Sequence, residues 1–266
     1  MRSLRPWVWG GVVCLIAATA TAAECTKSVR WSDDAPYAFR GPDGELKGLH
    51  VDTVRAALRR LGCQPQFVER PWARALVELE EGHLDILPGA LRRPEREVYA
   101  MFSRPVNRSP NVLFMRKAVA DKYKITKLAD LLGTPFRMGA QMGVAYGPSF
   151  EALQKDPRFA ALLTPFTARR GAWQMMDMDR LDGLIADETT GLLEIQSLGL
   201  SQAIVKTPIV TTSEPGMFAL SKKALTPQFA ADFDRALDAM VKDGELRQIR
   251  ERYVPCPVSA DQIGCK

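Results

Sequence analysis

Between residues 29 and 87 short apolar runs alternate with apolar side chains at helical spacing, and that alternation admits few folds. Val29 to Trp31 reads as a strand, followed by the turn clusters Asp33-Asp34-Ala35-Pro36 and Gly41-Pro42-Asp43-Gly44. Val51, Val54, Leu58 and Leu61 then share one helical face, with Gly62 just beyond as a stop. Gln66 to Val68 is the next strand. Trp72, Ala75, Leu76 and Leu79 mark a second helix ended by Gly82, and Leu84 to Leu87 is a third strand. Strands that alternate with helices in this way build a parallel α/β sheet.

The middle of the chain repeats the scheme. Leu128, Leu131 and Leu132 predict a short helix, Arg137 to Ala140 a strand, Phe150 to Leu153 and Trp173 to Met178 helices, and Leu184 to Ala186 a strand. The pentamers "HLDIL" (83 to 87) and "RLDGL" (180 to 184) each follow an amphipathic helix and open a strand, which points to two lobes of similar design. A strand at Met217 to Leu220 and a helix carrying Phe229, Phe233, Leu237 and Met240 follow. A last helix carries Leu246, Ile249 and Tyr253, and both helices need the first lobe's sheet to cover. Chain crossings are expected near Met115 to Val119 and near Val210 to Gly216. The expected division is therefore residues 23–116 plus 213–266 for one lobe and 117–212 for the other, with a hinge around a cleft.

The first 22 residues stand apart. Arg2 and Arg5 precede an apolar stretch from Trp7 to Ala18, and Ala20-Thr21-Ala22 supplies a small-x-small cleavage site. This reads as an export leader cut after Ala22. The 36 basic and 31 acidic residues lose two arginines with it, which leaves 34 against 31 and little charge to attract a partner. No Lys/Arg-rich block with interleaved aromatics marks a nucleic-acid surface. Of five cysteines Cys14 leaves with the leader, and four remain for an oxidising compartment. Three pairings are possible. Cys25 and Cys63 precede the first and second strands, which start at the same end of a parallel sheet, so Cys25–Cys63 with Cys256–Cys265 is the economical one.

"APYAF" (35 to 39), "DGELKGLHVD" (43 to 52), "PER…FS" (94 to 103), "LDGLIADE" (181 to 188) and "KDGELRQIRERY" (242 to 253) occur in an order and spacing that resembles the periplasmic solute-binding proteins of polar amino acid ABC transporters. The resemblance covers nearly all of residues 27 to 254. It implies two α/β lobes, each a mainly parallel sheet flanked by helices, that close on a small amino acid or related carboxylate. It also implies a periplasmic monomer that hands its ligand to a membrane permease and needs no cofactor or metal. By resemblance Arg96 clamps the ligand's carboxylate, Asp187 receives its amine, Trp72 walls it and Tyr37 lies at the cleft mouth. The turns carrying Gly89, Ala90 and Leu91, and Gln141, Gly143, Val144 and Ala145, match the remaining ligand-binding positions.

This chain departs from the family pattern. Pro88-Gly89-Ala90-Leu91 holds no hydroxyl ahead of the arginine, and Val144 and Ala145 stand where hydroxyls often follow the glycine. Asp34 stands where an aromatic usually stacks on the ligand; it either forms the turn or recognises a cationic group. Two of the ligand's usual hydrogen bonds therefore come from elsewhere, or the ligand is not a standard α-amino acid. For Arg96 the bland alternative is a salt bridge to Glu95 or Glu97, and for Asp187 it is a helix cap. Arg92 and Arg93 read as solvated, His83 as exposed, His50 as structural, and Met175, Met176 and Met178 with Trp173 as core fillers. No Ser/His/Asp set and no Gly-rich phosphate loop appears, so the chain reads as a binder and not an enzyme. Two alternatives stay open: a dehydratase of cyclohexadienyl acids on the same scaffold, and a sensor read by a membrane receptor.

Overall fold

The computed structural model describes residues 25–254, so the leader and the Cys256–Cys265 pairing lie outside the described residues. The chain begins with strands β1 (Cys25–Trp31), β2 (Phe39–Arg40) and β3 (Leu46–Lys47), helix α1 (Leu49–Arg60), strand β4 (Cys63–Glu69), helix α2 (Trp72–Glu81) and strand β5 (Ile86–Ala90). Helix α3 (Pro94–Glu97) and strands β6 (Ala100–Phe102) and β7 (Asn107–Arg108) complete this first pass. The chain then forms β8 (Asn111–Arg116), α4 (Lys117–Ala120), β9 (Met138–Gln141), α5 (Pro148–Gln154), α6 (Pro157–Ala160), β10 (Leu163–Phe166), α7 (Arg169–Asp177), β11 (Gly183–Asp187), α8 (Glu188–Ser197) and β12 (Ile204–Thr212). It returns through β13 (Pro215–Ser221), α9 (Pro227–Lys242) and α10 (Glu245–Tyr253).

Two sheets result. One has the order β4-β1-β5-β13-β6, with β7 also on β13; the other has the order β10-β9-β11-β8-β12. In each, three strands run parallel (β4, β1, β5 and β10, β9, β11) and antiparallel strands extend them. The antiparallel members include the strands that carry the chain into and out of the second lobe. β8 pairs with both β11 and β12, so residues 111–116, expected in the first lobe, belong to the second. The first crossing therefore falls at residues 109–110, not after Met115. The run Asn111 to Arg116 is nearly all buried because it has a strand on either side. The return crossing is residues 213–214.

Helices α1, α9 and α10 cover one face of the first sheet. Val54, Leu58, Phe233, Leu237, Met240 and Ile249 are buried together there, each worth roughly 1.5–3 kcal/mol of burial on the usual scale. On the opposite face Ala75 and Leu79 of α2 meet Leu84, Leu87 and Ala90. Helix α2 ends at Gly82, whose φ of 84° is the left-handed conformation that closes a helix most easily without a Cβ. In the second lobe Trp173 and Met176 are buried, but Met178, expected in the core, is half exposed because α7 has already ended at Asp177.

The repeated Leu-Asp pair does the same work in both lobes. Asp85, just ahead of β5, accepts from the Ser28 amide at 2.7 Å and the Ser28 hydroxyl at 2.8 Å on neighbouring β1. Asp182, just ahead of β11, accepts from the Arg137 amide at 2.8 Å beside neighbouring β9. Burial would push the Asp182 carboxyl up, but Arg137 and Arg116 hold it down near 2.

β1 and β4 pair in parallel with Cys25 opposite Cys63, and a disulfide joins them.

Candidate functional site

Between the lobes lies a cavity of about 790 Å³. Its walls come from the carboxyl ends of β1, β4 and β5 on one side and of β9, β10 and β11 on the other, the end at which open α/β sheets present their ligands.

The three arginines after β5 have three different fates. Arg92 is exposed and pairs with Glu97 at 3.1 Å. Arg93 is buried, contrary to the solvated role expected of it. Its guanidinium donates to both oxygens of Glu214 in the return crossing, at 2.5 and 2.9 Å, and approaches Glu151 of the second lobe at 3.4 Å. Arg96 is buried against the cavity and has no carboxylate within ion-pair distance among the described residues. Its Nη1 donates to the Leu91 carbonyl at 3.0 Å, and its Nη2 crosses to the Gly143 carbonyl at 2.9 Å. Burial lowers its pKa, with Tyr99 and Glu95 only partly opposing. A salt bridge to Glu95 or Glu97 is therefore not what holds it.

Asp187 ends β11 and caps α8, its Oδ1 accepting from the Thr190 amide at 2.9 Å. Capping does not exhaust it. The Tyr37 hydroxyl of the other lobe reaches it at 3.4 Å. Burial drives its carboxyl up to about 6, Asp34 adds to that, and the Thr190 amide, the Ser109 hydroxyl and Arg169 pull the other way.

Trp72 opens α2, and its Nε1 donates to the same Gly143 carbonyl at 3.0 Å. Gly143 has a φ of 76°, and a Cβ there would come within 3.1 to 3.4 Å of Leu76, Trp72 and Ala73 of the first lobe. Only glycine lets the two lobes approach so closely at this seam. Gly89, Leu91, Gln141, Val144 and Ala145 also border the cavity. Ala90 does not. Side chains alternate along β5, and Ala90 points into the core against α2. His50, buried beside Tyr37 with ring centroids 4.7 Å apart, meets the Asn107 amide oxygen at 3.0 Å.

The sequence reading missed four cleft residues. Arg169 opens α7 and pairs with Asp34 across the cleft at 2.5 Å and with Glu194 at 2.8 Å. The Asp34 carboxylate is thus taken by the protein's own cation, and Trp173 holds Glu194 from behind. Nothing in "TARRGAW" distinguishes Arg169 from a surface arginine. Ser109 joins the cavity wall from the crossing. Arg30, next to last in β1, carried the same signal as Arg96, a guanidinium at the end of a core strand.

A family model for the bacterial extracellular solute-binding proteins, family 3, matches residues 29–255. The chain belongs to that family. Among its relatives, an L-arginine-binding protein of Pseudomonas aeruginosa is 24% identical over 91% of this chain and 94% of its own length. An ancestral arginine-binding protein bound to arginine superposes with a TM-score of 0.75 at 23% identity, covering 86% of this chain and 98% of that one. The ancestral amino acid-binding protein AncCDT-1, a precursor of cyclohexadienyl dehydratase, superposes with a TM-score of 0.70 at 25% identity, covering 86% and 95%. The fold is that of the two-lobed periplasmic binding proteins. Among the described residues no helix is long and apolar enough to cross a membrane.

For a family 3 cleft the position of Asp187 predicts a pH dependence. The ionised carboxylate is the form that accepts an ammonium group, and with a pKa near 6 most of it is protonated at pH 5. Affinity for an amine-bearing ligand should fall about tenfold between pH 7 and pH 5. Stability without ligand moves oppositely: a raised carboxyl favours the fold below ~4 and loses that contribution as pH rises through 6. Titration calorimetry at several pH values checks this, with Asp187→Asn flattening the profile. A parent affinity constant from pH 5 to 7 removes Asp187 as the amine's partner.

Proposed function

We propose that this family 3 protein is exported by its leader to the periplasm, captures a small amino acid-like or carboxylate ligand between its lobes, and delivers it to an ABC transporter permease. One observation carries the reading. A buried arginine without a carboxylate partner, Arg96, and a desolvated carboxylate, Asp187, border one cavity from opposite lobes. A buried charge without its partner is costly, and a zwitterion supplies both partners at once. Trp72 and Tyr37 wall the ligand, and with Val144 and Ala145 lacking hydroxyls the carboxylate falls chiefly to Arg96. The L-arginine-binding relative supports an amino acid as the ligand's class. Catalysis is not part of the proposal.

The test is a thermal-shift screen of refolded protein against amino acids and small organic acids, followed by small-angle scattering with the best ligand. Groups on both lobes bind one molecule, so the bound protein should show a smaller radius of gyration. An unchanged radius would favour a preformed pocket and count against transport. Turnover of a cyclohexadienyl acid would replace the binding role with an enzymatic one.

A further inference from the structure

Six arginines border the cavity; of the three that are largely buried there, Arg30, Arg96 and Arg169, only Arg169 has carboxylate partners among the described residues. Arg169 lies between Asp34 and Glu194, and despite its burial these carboxylates raise its pKa. Arg96 and Arg30 have no carboxylate within ion-pair distance among the described residues. Arg30 is only 8% exposed. Its Nε donates to the Arg70 carbonyl at 3.0 Å, its Nη2 donates to the Ser32 hydroxyl, and its guanidinium lies 5.4 Å over the Trp72 ring. These contacts fix the plane of the group without neutralising it. Burial lowers its pKa to about 10, Asp34 only partly opposing and Arg169 adding to the fall.

Each of the two unanswered guanidiniums also keeps a nitrogen in hand. Arg30 Nη1 and Arg96 Nε have no hydrogen-bond partner among the described residues, and both residues border the cavity. They flank one tryptophan. Arg30 covers the Trp72 ring, and Trp72 and Arg96 share the Gly143 carbonyl. The first lobe thus places two cations without carboxylate partners on the cavity wall, both in contact with or beside Trp72, and the second lobe places the desolvated carboxylate of Asp187 on the same cavity.

We propose that Arg30 is a second anion site, and that the cleft selects amino-dicarboxylates, with Arg96 on one carboxylate, Arg30 on the other and Asp187 on the amine. This rests on the reading of the cleft as an amino acid site and adds its side-chain class. A guanidinium desolvated for a second carboxylate rejects the uncharged amide of the same shape, because the amide leaves the cation unanswered.

Titration calorimetry on refolded protein tests this with L-aspartate, L-glutamate and L-2-aminoadipate, which vary the separation of the carboxylates, against L-asparagine, L-glutamine and L-arginine. At least one acid should bind about tenfold or more tighter than every uncharged or cationic side chain. Arg30→Gln should erase that advantage by weakening the acid far more than the amide, and Arg30→Lys should restore part of it. The comparison of acid with amide in the parent needs no variant, so it stands even if Arg30→Gln misfolds. Tighter binding of an amide or of L-arginine, or an acid preference that survives Arg30→Gln in a folded variant, overturns the role of Arg30 and leaves the amino acid site intact. Binding of none of the six overturns the dicarboxylate proposal, and the amino acid reading is then decided by the wider thermal-shift screen.

Discussion

Arg96→Ala should weaken ligand binding by roughly 30-fold to several thousand-fold, the equivalent of about 2–5 kcal/mol for removing one partner of a buried charge pair, while the protein stays folded. The fold should tolerate the change because Arg96 serves only two backbone carbonyls. The Gly143 carbonyl keeps the Trp72 indole as a donor, and the Leu91 carbonyl adjoins the cavity, where water can reach it. Truncation also relieves the desolvation that lowers the guanidinium's pKa. Arg92→Ala is the matched control. Its pair with Glu97 is exposed, so affinity should change by less than about threefold. Titration calorimetry on both variants decides the matter. If Arg96→Ala binds like the parent, Arg96 is a structural residue and the amino acid reading loses its main support.

Loss of the Cys25–Cys63 bond should cost about 3–4 kcal/mol of stability. The bond closes a loop with a sequence separation of 38, and in the chain-entropy model a loop of that length restricts the unfolded ensemble by this amount. For a protein of this size each kcal/mol moves the midpoint by about 2–4 °C, so the double Cys→Ser variant should melt roughly 6–16 °C below the parent. The register argues that the folded state accepts the link without rearrangement: Cys25 and Cys63 face each other as the first of seven consecutive partners along β1 and β4. Thermal unfolding with and without reductant is the measurement. A variant that melts with the parent would mean that the paired strands already restrain the unfolded chain.

The elements that could be read from sequence were those with a single exposed face. Val51, Val54 and Leu58 pack inward from α1 while the stripe of Asp52, Arg55 and Arg59 reaches water, and the periodicity records it. β8 gave no such record. Buried between β11 and β12, it reads as an undifferentiated apolar run, and the crossing was placed after it when Pro105 and Pro110 in fact mark the irregular stretch before it. The site divides in the same way. Arg96 lies past the end of β5 and Asp187 ends β11, strands whose ends form the cleft, and it is their match to family positions that nominates them. Ala90 was named with its neighbours although alternation along β5 turns it the other way. Arg93 and Arg169 depend on partners far along the chain, Glu214 and Asp34, and no local pattern encodes such a meeting.

The two crossings lie side by side. On the first-lobe side Arg108 pairs with Pro215, and on the second-lobe side Asn111 pairs with Thr212. Two straps of two residues each are left between these pairs, and at no more than ~3.6 Å of reach per residue they have almost no slack. A single tether would let one lobe swivel on the other. With two abreast, swivelling must stretch one strap while the other buckles, and only bending across the pair is soft. Opening therefore has one degree of freedom, like a cover turning on its spine. In the hinge motion proposed here, closure would return Arg96 and Trp72 to Gly143 and Tyr37 to Asp187 along the same path, and a ligand would be judged by whether it fits the whole arc of approach as well as the pocket at its end.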